Sequence, residues 1–326
     1  MTVSNVVNGN FNKVSKDTIE RINMLIQEMQ YVPNANARSL STNKTTLLAM
    51  CVRASSSKNI LEDPYTSFIV GTISRRAQQN GFTVILENEA DTHLTVNKLK
   101  SWNVAGAIFL GYSGKQIDTI KQSLSIPFVC LDSYPESDDI ITIGTNDYKA
   151  GWLAGKYLSS LGHKNLVFAS GQTLTESNSK TLNPLLYYRY EGFKEALVEE
   201  GIILNKENIL SGDITYEEGI SMGSHLGMQN DVSAVFATAD ILAVGIIEGL
   251  RLSGKRVPQD MSVLGFDDLP ISRLIQPKLS TISQQTTLKG ENAIDLLIKR
   301  INDPALHLES IQHEVTLIER QSTLPI

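Results

Sequence analysis

A chain of 326 residues is longer than one ordinary domain, which points to a small module plus a two-lobed body, or to two comparable lobes. An apolar fraction of 41% and a charged fraction of 20%, with few Pro and Gly, exclude a disordered or fibrous chain. The formal net charge of −6 argues against a protein that coats nucleic acid regardless of sequence, although a small basic patch on one domain would vanish in that average.

The first residues, MTVSNVVNGNFNK, carry neither a basic segment followed by an apolar stretch nor a small-residue cleavage site. No apolar run approaches the roughly 18 residues of a membrane span, so the expectation is a cytoplasmic protein without a membrane partner. Up to about Asn43–Leu47 there is only helix signal. Ser15 is placed to cap a helix whose apolar positions Ile19, Ile22, Leu25, Ile26 and Met29 follow helical spacing, and Pro33 predicts an end at about Tyr31. Asn34–Leu40 is too short for a stable helix in water and reads as a hinge that folds on binding, or as a solvated linker with one leucine.

From Leu47 strand and helix alternate: LLAMCV, a helix around Phe68–Gln79, TVIL, a helix over Leu94–Trp102, GAIFL, a helix over Gln116–Leu124, and PFVCL. Strands apolar on both faces between amphipathic helices predict a parallel sheet. The rhythm then restarts with a helix over Tyr148–Leu161, NLVFAS, helices over Tyr190–Glu200 and Glu218–Met228, AVFAT, a helix over Leu242–Leu252, and MSVLGF. A helix over Leu288–Ile301 and a strand-like EVTLIE close the chain. Two similar α/β units in tandem imply two lobes with a cleft between them. Cys51 and Cys130 sit in apolar runs away from any zinc-like spacing and read as buried thiols.

The opening TVSNVVNG, followed by VSKDTIERINMLIQEMQYVPNANARSL, resembles the DNA-binding head of the lactose/galactose repressor family segment by segment. The resemblance implies that TVSNVVN is a recognition helix laid in the major groove, with Thr2, Ser4, Asn5 and Asn8 facing the DNA and Val3, Val6 and Val7 on the buried side. It implies that Arg38 meets phosphates, and that Leu40 wedges into the minor groove at the centre of a palindromic operator. Met1 stands at the second position of that helix, so the family's first helix and turn are missing from the sequence. The expectation is a partial, loosely ordered head that binds DNA more weakly than a complete relative.

Further on, TND.KAG, LGHK.L, R..GF..AL, VFA..D..A.G and P.D.SV.GFDD are similar to landmarks of that family's periplasmic-binding-protein-like core. The fold implied is α/β, a two-lobed core of two parallel-sheet, Rossmann-like subdomains preceded by a partial all-α helix-turn-helix head and hinge. Residues 1–45 would form the head and hinge and residues 46–326 the effector-binding and dimerisation core. Within the core, about 46–144 plus 286–312 would make the N-subdomain and about 145–285 plus 313–326 the C-subdomain.

Asp132 after VCL, Arg189 opening RYEGFKEAL, Asp267 after SVLGF and Gln284 at the lobe crossing map to the family's effector-contacting positions. An Arg fork with carboxylates on facing walls suits a polyhydroxylated ligand, because guanidinium donates to hydroxyls and carboxylate accepts from them. That favours a sugar or sugar derivative. Read singly, Asp267 also suits a turn cap, and Arg189 a pair with Glu191 or Glu195 on its own helix. The sequence also departs from the pattern. Ala239 stands where a hydroxyl-binding Asn is common, and in DPYTSF Thr66 takes the usual stacking position beside Tyr65. GDITYEEG offers Ile214, and Tyr216 as a second candidate, where an aromatic often follows GD.

Enzyme signatures fail on spacing. GYSGKQ is too short for a phosphate loop, and neither HExxH, G-x-G-x-x-G after a strand nor G-x-S-x-G occurs. His163 in LGHKN reads as a turn residue. No enzyme activity, metal or cofactor is expected. The leading expectation is a homodimeric, effector-responsive DNA-binding regulator, a repressor of carbohydrate-utilisation genes. The alternative is a cytoplasmic sugar-binding protein derived from such a regulator and defective in DNA binding, with a sugar-processing enzyme a distant third.

Overall fold

The computed structural model describes residues 2–7, 11–31, 45–53, 59–171 and 183–326. Asn8, Arg38, Leu40 and the hinge segment Asn34–Leu40 lie outside the described residues. The chain forms two compact units, Met1–Thr46 and Leu47–Ile326.

In the first unit, helix α1 (Thr2–Val7) and a single 3-10 turn (Phe11–Lys13) precede helix α2 (Lys16–Glu28). Ser15 is the residue before α2, but its hydroxyl engages the Thr18 hydroxyl at 2.8 Å and makes no capping bond. The helix stops before Pro33 can act. Gln30 adopts φ +48, and the amides of Gln30 and Tyr31 turn back to the carbonyls of Gln27 and Ile26, a left-handed C-terminal closure. Among the described residues of this unit Val6 and Ile22 are the buried apolar ones, whereas Val3 is 51% exposed and Val7 half-buried. The three-valine buried face expected of α1 thus reduces to Val6, because a helix of six residues offers one side to α2 and the other to solvent.

The second unit holds two six-stranded sheets. The first contains β1 (Leu47–Val52), β2 (Thr83–Glu87), β3 (Gly106–Leu110), β4 (Phe128–Leu131), β5 (Thr142–Thr145) and β11 (Ile311–His313), all parallel, in the order β11-β5-β4-β3-β1-β2. Its helices are α3 (Pro64–Gln79), α4 (Thr92–Trp102), α5 (Gly114–Ser123) and α11 (Thr286–Asn302). The apolar run of β1 divides by parity, as a strand buried on both faces must. Leu48, Met50 and Val52 pack with Ile69, Ile73 and Leu297 on one face, while Ala49 and Cys51 pack with Leu99, Phe109 and Cys130 on the other.

The second sheet, β12-β10-β9-β8-β6-β7, contains β6 (Leu166–Ser170), β7 (Ile209–Ser211), β8 (Ala234–Ala237), β9 (Ser262–Asp267), β10 (Ser280–Ser283) and the antiparallel edge strand β12 (Thr316–Ile318). Around it lie α6 (Asp147–Ser160), α7 (Pro184–Glu199), α8 (Tyr216–Gly227), α9 (Asp240–Leu252) and the short α10 (Ile271–Leu274). Phe168, Phe193, Phe236 and Phe266 fill one face of this sheet.

The chain passes between the sheets at Asn146, at Gln284–Gln285 and at Glu314–Val315. These crossings are tied sideways: Thr145 Oγ1 donates to Gln284 Oε1 at 3.2 Å, Gln285 Nε2 to the Glu314 carbonyl at 2.7 Å, and the Asn146 amide to the His313 carbonyl at 3.2 Å. Helix α11 packs on the first sheet and β12 joins the second. Among the described residues no helix is long and apolar enough to cross a membrane, and no group of His, Cys, Asp and Glu could hold a metal ion.

Candidate ligand cleft

Ligands of open parallel sheets lie beyond the carboxyl ends of the strands, and the polar residues of this chain gather there. Asp132 follows β4, Asp147 follows β5, Thr238 follows β8, Asp267 ends β9 and Gln284 follows β10. Asp132, Asp267 and Asp268 have φ of +50, +119 and +57, conformations uncommon for residues with a side chain and concentrated at functional positions.

On the second-sheet side the centre is Arg189. Its Nε donates to Asp147 Oδ1 at 2.8 Å and its Nη1 to the Thr238 carbonyl at 3.0 Å, while the guanidinium lies 3.5 Å from the centre of the Phe266 ring. Tyr134 completes the group by donating to Asp147 Oδ2 at 3.0 Å. Burial pushes the Asp147 carboxyl above the usual carboxylate range, and the Arg189 charge opposes that shift. Arg189 does not open its helix. Asn183 and Pro184 start α7 earlier, the Asn side chain accepting from the Leu186 amide, so Arg189 falls in the second turn. Nor does it pair along its own helix: Glu191 is met by Lys194 at 3.4 Å and Glu195 by the Tyr148 hydroxyl.

On the first-sheet side Lys289 is the organiser. This residue of α11 is wholly buried, and its ammonium donates to Asp132 Oδ1 at 2.7 Å, to Gln284 Oε1, and to the Tyr65 hydroxyl at 3.4 Å. Tyr65 in turn donates to Asp132 Oδ2, and Gln284 Nε2 donates to Asp267 Oδ1. A continuous relay therefore runs Tyr65–Asp132–Lys289–Gln284–Asp267, from the first lobe through a crossing strand to the second. Burial and the negative charge of Asp132 push the Tyr65 hydroxyl up, so it stays a donor. Burial, with Asp240 and Asp63 nearby, pushes the Asp267 carboxyl well up.

The structure thus brings together Tyr65, Asp132, Arg189, Asp267 and Gln284. Asp267 is not the turn cap: the turn after β9 is held by Asp240, which accepts the Leu269 amide at 2.8 Å and the Thr281 hydroxyl at 2.6 Å. Thr66 is buried, and its amide and hydroxyl bind Asp63 at 2.9 and 2.5 Å, as the first turn of a helix that begins at Pro64. Ile214 is 38% exposed and packs on Gly171, where a Cβ would lie 2.3 Å from Ile214 Cγ1. Thr2 and Asn5 lie on α1, as does Ser4. A notch of about 270 Å³ lies on the crossover side of Asp132, bordered by Tyr134, Thr145 and Gln312. It reaches neither Arg189 nor Asp267, so the converging charges mark the cleft better than this notch does.

Sequence reasoning missed Asp147, Tyr134, Phe266 and Lys289. A signal for Lys289 is present in the sequence. It occupies the buried stripe of α11, in register with Thr286, Gly290, Ala293 and Leu297, where a lysine is out of place unless paired.

Two lobes, each built on a six-stranded and mainly parallel sheet and joined by three crossings among the described residues, define a two-lobed α/β core with a charged cleft at its strand ends. Residues 156–323 match the family described as periplasmic binding protein-like domain. The HTH-type transcriptional repressor PurR of Pasteurella multocida is 31% identical, the match covering 98% of this chain and 94% of that protein. PurR of Mannheimia succiniciproducens is also 31% identical, over 100% of this chain and 95% of its own length. Among solved structures, a LacI family transcriptional regulator from Enterococcus faecium with bound ribose is 27% identical with a TM-score of 0.72, covering 85% of this chain and 99% of that one. The transcriptional regulator CelR in complex with cellobiose is 25% identical with a TM-score of 0.74, covering 98% and 94%. The chain belongs to the LacI family of transcriptional regulators. Its named relatives are regulators and not enzymes.

Proposed function

We propose that the protein is an effector-responsive DNA-binding repressor of carbohydrate-utilisation genes, acting in the cytoplasm as a homodimer on a palindromic operator and sensing a sugar or sugar derivative in the interlobe cleft. The observation that carries the ligand reading is Arg189, a buried guanidinium held by Asp147 and seated on Phe266, opposite the Tyr65–Asp132 pair. Fixed donors and acceptors on facing walls are the chemistry that holds the hydroxyls of a pyranose or furanose ring. CelR with cellobiose and the Enterococcus faecium regulator with ribose support the same class. Thr2, Ser4, Asn5 and Asn8 would face the operator, with Arg38 and Leu40 in the hinge.

A ligand that closes the lobes acts on Gln284, which touches both through Lys289 and Asp267. Cleft closure and DNA affinity are then linked, each changing the other by one factor. The test is a gel shift on the DNA upstream of the protein's own gene, with and without ribose, cellobiose and other sugars. A retarded complex whose midpoint one sugar moves supports the reading. Sugar binding by calorimetry with no specific DNA complex favours the sugar-binding alternative instead.

A further inference from the structure

Among the described residues, the two cations of the cleft are already matched one to one. Arg189 holds Asp147 at 2.8 Å and Lys289 holds Asp132 at 2.7 Å. Each oxygen of Asp132 receives a donor, one from Lys289 and one from Tyr65, and the three protons of the ammonium are directed at Asp132, Gln284 and Tyr65. An entering carboxylate or phosphate would find no donor free on Lys289. To gain one it would have to break a buried ion pair and strand Asp132, which is strongly unfavourable. The third carboxylate, Asp267, has no ion pair among the described residues and is held by the neutral amide of Gln284.

We infer that the Lys289–Asp132 pair sets the charge class of the effector: the cleft takes an uncharged polyol and rejects sugar acids and sugar phosphates. This rests on the polyol reading above. Lys289 fills the first-lobe wall with a positive charge, and Asp132 cancels it, so the wall presents hydrogen-bonding groups without net charge. The balance depends on both members, and removing either leaves a buried charge for a ligand to neutralise.

Calorimetry on the full chain with glucose, glucuronate and glucosamine, and with the same triplet in the galactose series, tests this. The wild type is expected to bind the neutral sugar of a series at least about tenfold more tightly than either charged member. Asp132→Asn leaves Lys289 uncompensated and should move the ratio about tenfold toward the uronate. Lys289→Met should move it toward the amine, and the double substitution should restore the neutral preference. Asn tolerates the positive φ at position 132, so the first variant keeps the test open should Lys289→Met fail to fold. A wild type that prefers the uronate overturns the inference, as does an unchanged ranking in a folded Asp132→Asn protein. Absence of binding by any member, in wild type and variants, overturns the polyol reading and the inference with it.

Discussion

Arg189 and Asp147 stand on different helices and meet at 2.8 Å, with the Asp147 side chain wholly buried and the Arg189 side chain 10% exposed. The pair joins the second turn of α7 to the first residue of α6, so one contact serves both the cleft and the fold.

Arg189→Ala is therefore expected to abolish sugar binding and also to destabilise the protein by about 3–5 kcal/mol, because it leaves Asp147 buried without its partner. Urea unfolding measures the second effect and calorimetry the first. Arg189→Met combined with Asp147→Leu should recover most of the stability and none of the binding. Full stability in Arg189→Ala would show that the pair is not what holds α6 to α7.

Asp240 gives a pH dependence of definite sign. Burial raises its pKa to about 7, against the bonds from Thr281 and the Leu269 amide, and the neighbouring Asp267 is raised as well. A carboxyl whose folded pKa exceeds its unfolded value of about 3.9 contributes stability that is complete below that value. The contribution is lost as pH rises toward about 7. Urea midpoints between pH 5 and 8, wild type against Asp240→Asn, are expected to differ in slope, the wild type losing stability relative to the variant as pH rises. Parallel curves would remove Asp240 as the source.

The two-lobed alternation is legible in the sequence because β1, β3, β4 and β6 are apolar on both faces, a signal that depends on composition alone. The strands β5, β7 and β10 are not, since TIGT, ILS and STIS are short and half polar and become strands by pairing with neighbours. Apolar periodicity places two helix starts too late, at Asp63–Pro64 and Asn183–Pro184, where a capping Asx and a proline at the first helical position precede it. Asp132, Arg189, Asp267 and Gln284 are legible as candidates through the family motifs. Lys289 shows only as a lysine out of place on a buried stripe and Asp147 only as a letter of TND.KAG, because the partners that give them their roles stand 157 and 42 residues away in the chain.

His163 acts in the opposite direction to Asp240. Its ring nitrogens meet Ser233 at 3.0 Å and Ser262 and the Leu324 carbonyl at 3.1 Å, tying the turn before β6 to the end of the chain. Burial holds its pKa below the usual value, so its contribution is complete above the unfolded value of about 6.5 and declines as pH falls through the folded one. His163→Phe should cost about 1–3 kcal/mol at pH 8, from serine hydroxyls and a carbonyl left without the ring. The cost should shrink toward pH 5. A pH-independent loss would assign His163 a packing role only.

The position of Arg189 also depends on glycine. Helices α6 and α7 touch backbone to backbone: a Cβ at Gly192 would lie 2.0 Å from the Tyr148 carbonyl oxygen, and one at Gly151 would lie 1.8 Å from the carbonyl oxygen of Arg189 itself. These are backbone atoms, so no rotamer change relieves the clash and the helices must separate. Separation draws the guanidinium from Asp147 and from the Thr238 carbonyl, which accepts at 3.0 Å. Gly192→Ala is therefore expected to destabilise the chain by about 1–3 kcal/mol or more and to weaken sugar binding, although position 192 bears no ligand-facing group. Gly71 is the control. It lies on the exposed face of α3 with nothing within 4 Å of where a methyl would stand, so Gly71→Ala should stabilise by about 0.5–1 kcal/mol through helix propensity and leave binding unchanged. Urea midpoints and calorimetric affinity for the same sugar, measured on both variants, separate the effects. Equal affinity in wild type and Gly192→Ala would mean that Arg189 keeps its place without the close approach of the two helices.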